Sequence, residues 1–168
     1  MATATSRVND PPERPADRRA LWNSLVAGLV VLAVAGVGIA AYLAWENSRG
    51  ESGVCTIVHG CSTVQQSKYG KILGVPVSVP GLGLYALLAL SGAAWLANYR
   101  GWRPYAALVG AFGAGFGFLF SLFLTYLEAF VIDAWCIYCI VSALLMTALL
   151  AGWAAVLARE VRAANRAG

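Results

Sequence analysis

Four stretches of the chain carry no charged residue at all: Leu21–Trp45, Gly81–Tyr99, Pro104–Leu127 and Cys136–Ala158. Each is apolar over most of its length, and polar positions gather between them. A bilayer core about 30 Å thick is crossed by roughly 20 apolar residues of helix. The pattern predicts an all-α membrane protein. Its core is a four-transmembrane-helix bundle over residues 21–158, with spans at about 21–45, 81–99, 104–127 and 136–158. Residues 1–20, rich in Pro, Arg and Asp, read as a disordered tail, and residues 159–168 as a second short tail.

Composition agrees. The chain of 168 residues is 60% hydrophobic and 12% charged, whereas a water-soluble domain carries about 25% charged residues. This excludes a soluble enzyme, a nucleic-acid-binding domain and a disulfide-rich secreted module. The pI near 9.0 reflects basic residues that flank apolar spans. The first span is longer than the apolar region of a cleaved signal, and a polar tail precedes it.

With four spans both termini share one side. That side holds Arg7, Arg14, Arg18, Arg19, Arg100, Arg103, Arg159, Arg162 and Arg166; the other holds Arg49, Lys68 and Lys71. Lys and Arg accumulate in cytoplasmic connections, so both termini are expected in the cytoplasm. The long first loop (46–80) and the short third loop (128–135) then face outward.

All four cysteines fall on that outward face. Cys55 and Cys61 lie in the first loop, and Cys136 and Cys139 at the mouth of the fourth span. In bacteria this is the oxidising side, where disulfides persist. Two structural disulfides are the plain reading. The Cys136-Ile-Tyr-Cys139 spacing argues otherwise, because positions i and i+3 lie on one helix face. A bridge there closes a tiny loop and constrains the unfolded chain little, which makes it weak glue and a usable redox switch. The start of a helix also favours a thiolate at Cys136, the reactive form of cysteine. Zinc is the competing use of four cysteines, but the wide Cys55…Cys61 gap fits a tetrahedral site poorly. His59, between the loop cysteines, reads as a solvated loop residue.

The first loop has its own organisation. Ser62-Thr-Val-Gln65 has the form of a capping box. It predicts a short surface helix from about Ser62 to Tyr69, stopped by Gly70 and too short to span. The apolar Leu73–Gly81 segment, broken by Pro76 and Pro80, is expected to dip into the interface and enter the second span at Gly81. Gly110, Gly113, Ala114, Gly117 and Ser121 give small residues at the spacing of close helix packing in membranes. Asp133 is expected to cap the fourth span.

The run Cys55-Thr-Ile-Val-His-Gly-Cys61-Ser-Thr-Val-Gln-Gln-Ser67-Lys-Tyr-Gly70-Lys-Ile-Leu-Gly74-Val-Pro76, followed by Cys136-Ile-Tyr-Cys139, resembles the vitamin K epoxide reductase family, in particular its bacterial quinone-linked branch. The resemblance covers roughly residues 21–158. It implies a four-helix bundle around a quinone (menaquinone or ubiquinone), capped by the first loop. It implies electrons passing from a thioredoxin-like periplasmic protein through Cys55 and Cys61 to Cys136 and Cys139, with Cys139 as the quinone-side thiol. Bacterial members are often fused to a thioredoxin-like domain; this chain shows none, so a separate partner is expected. Two polar positions of the epoxide-reducing branch are Val77 and Ala143 here, which leaves quinone reduction as the expected reaction. Pocket walls are expected among Val77, Gly81, Tyr85, Phe112, Phe116, Tyr126 and Trp135. The implied location is the bacterial inner membrane.

Two other readings stay open. The disulfide bond formation protein B family also has four helices, four cysteines and a quinone, but places its C-x-x-C first, the reverse of the order here. A membrane scaffold subunit with structural disulfides predicts thiols indifferent to quinone.

Overall fold

The computed structural model describes residues 15–49, 71–72, 75–98, 101–132 and 135–166. Its four long helices are α1 (Pro15–Arg49), α2 (Ser78–Ala97), α3 (Arg103–Leu127) and α4 (Ile137–Ala164). All four are long and apolar enough to cross a membrane. At about 1.5 Å per residue even the shortest reaches the thickness of a hydrocarbon core. A minimal antiparallel pair, β1 (Lys71–Ile72) with β2 (Val75–Pro76), precedes α2, with Lys71 opposite Pro76 and Ile72 opposite Val75. The class is all-α, a four-helix membrane bundle.

The helix ends follow local chemistry. α1 opens on Pro15, with Asp17 in its first turn. Proline suits a first turn, where its missing N–H has no partner to lose, and an acidic residue suits the positive end of the helix. Residues 15–20, expected in the disordered tail, are therefore helical. α2 starts at Ser78 rather than Gly81, because Pro80 also falls within a first turn. The first ladder bond runs from the Gly81 N–H to the Val77 carbonyl at 3.2 Å. α2 ends at Asn98, in the left-handed region at φ 47°, with its N–H on the Trp95 carbonyl. Gly101 at φ 75° completes the turn into α3.

At its far end α3 continues through one π-helical turn, Glu128–Ile132. Most of the expected third loop is thus helical: Ala129–Ile132 is apolar and holds no turn residue. Cys136, with extended backbone at φ −105°, is the N-cap of α4. It takes the place expected for Asp133, which lies outside the described residues. α4 runs on to Ala164, past the end of its apolar window, with Arg162 in its last turn.

α1 packs against α2 and α4, and α3 packs against the same two, closing a ring. At one end the Arg159 guanidinium of α4 lies 5.2 Å from the Trp22 ring of α1 and 5.6 Å from the Trp95 ring of α2. Arg103 of α3 sits 4.5 Å over the other side of the same cluster, at Trp95. At the opposite end Tyr42 of α1 meets Tyr138 of α4, with ring centroids 6.5 Å apart. The helices therefore run up, down, up and down. Small residues let them close. A Cβ on Gly110 would fall inside the Trp153 indole, one on Gly117 would press on Met146, and Ala114 is fully buried. The spaced small residues of α3 are its packing seam. Outside, Val31, Leu90, Leu119 and Leu144 are exposed. Such an apolar exterior suits lipid and would be a liability in water.

Candidate functional site

The first turn of α4 carries Cys136 and Cys139. Cys136 is buried, 1% exposed, and Cys139 is half-buried one turn deeper. The Cys136 carbonyl accepts the N–H groups of Cys139 and Ile140, each at 3.1 Å. The helix ladder thus fixes both sulfurs on one face, as the i, i+3 spacing requires.

The next turn of that face holds Ser142. Its hydroxyl lies 2.8 Å from the Tyr85 hydroxyl of α2, which also donates to the Ser142 carbonyl at 3.3 Å. Tyr85 is buried, and its ring covers Gly36 of α1 so closely that a Cβ there would overlap it. One tyrosine therefore ties α1, α2 and α4 together directly beneath the cysteines.

Glu128 closes the other side. The π-turn carries its side chain inward, where it is 1% exposed, the sole buried acidic residue among the described residues. Its Oε2 accepts the backbone N–H of Cys136 at 3.1 Å. Its Oε1 meets no N–H or O–H donor among the described residues. The Cys139 thiol interacts with both Cys136 and the carboxyl, and one ligand atom from each of the three side chains lies within 4.8 Å of the others. Sequence reasoning passed over Glu128 because its charge ended the third apolar window. The available signal was the apolar run on both sides of it.

Of the expected pocket walls, Tyr85 reaches the turn below Cys139, and Trp135 adjoins Cys136 with half its surface exposed. Val77 and Gly81 lie at the start of α2, at the same end of the bundle, and a Cβ on Gly81 would meet open space. Phe112 and Phe116 are 72% and 66% exposed on the outer face of α3, and Tyr126 is exposed as well. The structure turns the side chains of those three outward from the bundle. Cys55, Cys61, His59 and the expected surface helix lie outside the described residues.

The sequence model of the vitamin K epoxide reductase family matches residues 27–153, which takes in the C-x-x-C, the second and third spans and most of the first and fourth. The chain belongs to the vitamin K epoxide reductase family. Membership places it among multi-pass membrane oxidoreductases that join thiol–disulfide exchange to quinone chemistry. Within the residues matched to the vitamin K epoxide reductase family, the C-x-x-C lies at a helix mouth with Cys136 buried and Cys139 half-buried.

Proposed function

We propose that the protein is a thiol:quinone oxidoreductase that reoxidises a separate periplasmic thioredoxin-like protein and so supports disulfide bond formation. It sits in a bacterial inner membrane with both termini cytoplasmic and the cysteines outward, as the arginine distribution favours.

Cys55 and Cys61 take the first exchange. A partner thiolate attacks their disulfide, a mixed disulfide forms, and the second partner thiol resolves it, leaving the partner oxidised and the loop pair reduced. A loop thiol then attacks the Cys136–Cys139 disulfide in the same way, which reoxidises the loop pair. The reduced pair on α4 gives up two electrons and two protons to menaquinone or ubiquinone. Val77, Gly81, Tyr85 and Trp135 are the residues at this end suited to an apolar ring. The open space beside Gly81, the part-buried Tyr85–Ser142 hydroxyl pair and the half-exposed Trp135 indole are compatible with such a ligand.

The carrying observation is the pair on α4: two sulfurs one turn apart, one enclosed and the other half-buried. A bridge there closes too small a loop to stabilise the fold much. The test is quinone reduction by purified protein in detergent, driven by a reduced thioredoxin-like protein and followed by quinone absorbance. Thiol-dependent turnover that disappears in Cys139→Ala is expected. A folded preparation inactive with several quinones would overturn the reading.

A further inference from the structure

We propose that Glu128 is the proton carrier of the Cys136–Cys139 pair. This rests on the thiol:quinone reading and adds a group that the exchange steps leave unused.

A carboxyl is costly to bury in or near a membrane and is rarely retained there without a task. Helix capping alone does not explain this one. A glutamine of the same length would accept the Cys136 N–H as well, without placing an ionisable group in the interior. The division of labour is visible in the two oxygens. Oε2 is anchored by the Cys136 N–H, and Oε1, which meets no N–H or O–H donor among the described residues, is left to the thiol side of the group. Both sulfurs lie within reach of the group. The π-turn that aims it is the kind of helix irregularity that concentrates at functional sites.

Closing the pair breaks two S–H bonds and forms one S–S bond. Two electrons pass to the quinone, whose two oxygens take up the two protons as the quinol forms. Glu128 receives the proton of the thiol that turns nucleophile and releases it toward the quinone, so the carboxyl ends each turnover as it began. In the opposite half-reaction, when a dithiol reduces the pair, the carboxylate takes the proton of the attacking thiol and passes it to the leaving thiolate. The titratable groups around it among the described residues are Cys136 and Cys139 on α4. Tyr85 on α2 and Tyr42 and Glu46 on α1 belong to the same end of the bundle, as do Arg49 and Lys71 by chain position.

The experiment uses the full chain in detergent and compares wild type with Glu128→Gln and Glu128→Asp. The amide keeps an acceptor for the Cys136 N–H and cannot carry a proton; aspartate keeps the carboxyl. Two rates are measured from pH 5 to 9. One is steady-state quinone reduction. The other is single-turnover reduction of the α4 disulfide by dithiothreitol in a Cys55→Ser, Cys61→Ser background, which needs no quinone. Glu128→Gln is expected to slow both by roughly a hundredfold, the low end of general acid–base contributions. The deficit should shrink as pH rises and hydroxide substitutes for the carboxyl, and aspartate should recover part of the rate. An amide variant within twofold of wild type across the range, or an aspartate variant no better than the amide, would overturn the inference. If the amide variant unfolds, the wild-type solvent deuterium isotope effect on the dithiothreitol step decides: a normal effect supports the carrier, and none overturns it. Wild type that exchanges with dithiothreitol yet never reduces quinone would instead sink the thiol:quinone reading, leaving the dithiothreitol comparison to judge Glu128.

Discussion

The backbone N–H of Cys136 donates to Oε2 of Glu128 at 3.1 Å, across the break between the third and fourth helices. This one bond holds the backbone of Cys136 against the end of α3 and gives α4 a cap from another element. The C-x-x-C and the start of α4 are therefore the same few residues. A change at this junction should register in both structure and turnover, whereas changes elsewhere should separate the two.

Cys139→Ala should separate them. The sulfur is half-buried on the first turn of α4, and alanine is the best helix former. Turnover should fall to background while the thermal midpoint in detergent stays close to wild type. A large drop in midpoint with residual turnover would mark the cysteine as structural.

Two glycines of α1 provide a paired test. A Cβ on Gly36 overlaps the Tyr85 ring, whereas one on Gly38 meets nothing within 4 Å. Gly36→Ala should destabilise by about 1–3 kcal/mol, the usual range for overpacking. Gly38→Ala should stabilise by roughly 0.5–1 kcal/mol through helix propensity. Thermal or denaturant unfolding in detergent reads both. Equal effects of the two substitutions would contradict the packing described.

Tyr85→Phe removes the hydroxyl that meets Ser142 and keeps the ring against Gly36. The cost in stability should be about 0.6–1.7 kcal/mol, as for other hydrogen bonds between membrane helices. If Tyr85 also lines the quinone pocket, KM for quinone rises, while exchange of the α4 pair with dithiothreitol is unchanged. An unchanged KM would remove Tyr85 from the pocket.

At the far end, Arg159 serves two indoles, Trp22 and Trp95. Arg159→Ala should cost about 1–2 kcal/mol from the lost cation–π contacts. Lysine should recover only part, since a compact ammonium cannot stack as a planar guanidinium does. Turnover per folded molecule should not change, because the cluster is a bundle length away from the cysteines.

Much of this was legible beforehand. Charge-free windows locate all four spans, because the bilayer imposes its thickness on the sequence. The small residues of α3 announce its packing seam, and the C-x-x-C spacing announces that Cys136 and Cys139 share the first turn of α4. What was missed shares one cause. Glu128, the extension of α1 back to Pro15 and the start of α2 at Ser78 all involve polar residues or prolines that a hydropathy boundary discards. Side-chain burial and first-turn tolerance overrule that boundary. Phe112 and Phe116 failed in the opposite sense. Their aromatic character suggested a pocket, but the phase of α3, set by Gly110 and Gly117 facing inward, turns them to the outside.

A π-turn is an α-helix holding one residue more than its period requires. Residues after it are therefore offset in phase by about 100°, the rotation of a single helical residue. Residues 129–132 of the turn lie between the carboxyl-bearing Glu128 and the cysteine it supports. Losing any one residue from 129–132 would remove no reactive group, yet it would return the helix to its ordinary winding and swing its end around the barrel of the bundle. In this protein a deletion that leaves every functional side chain in the inventory would still act as a mutation of the active centre, because the spare residue keeps the two halves in step.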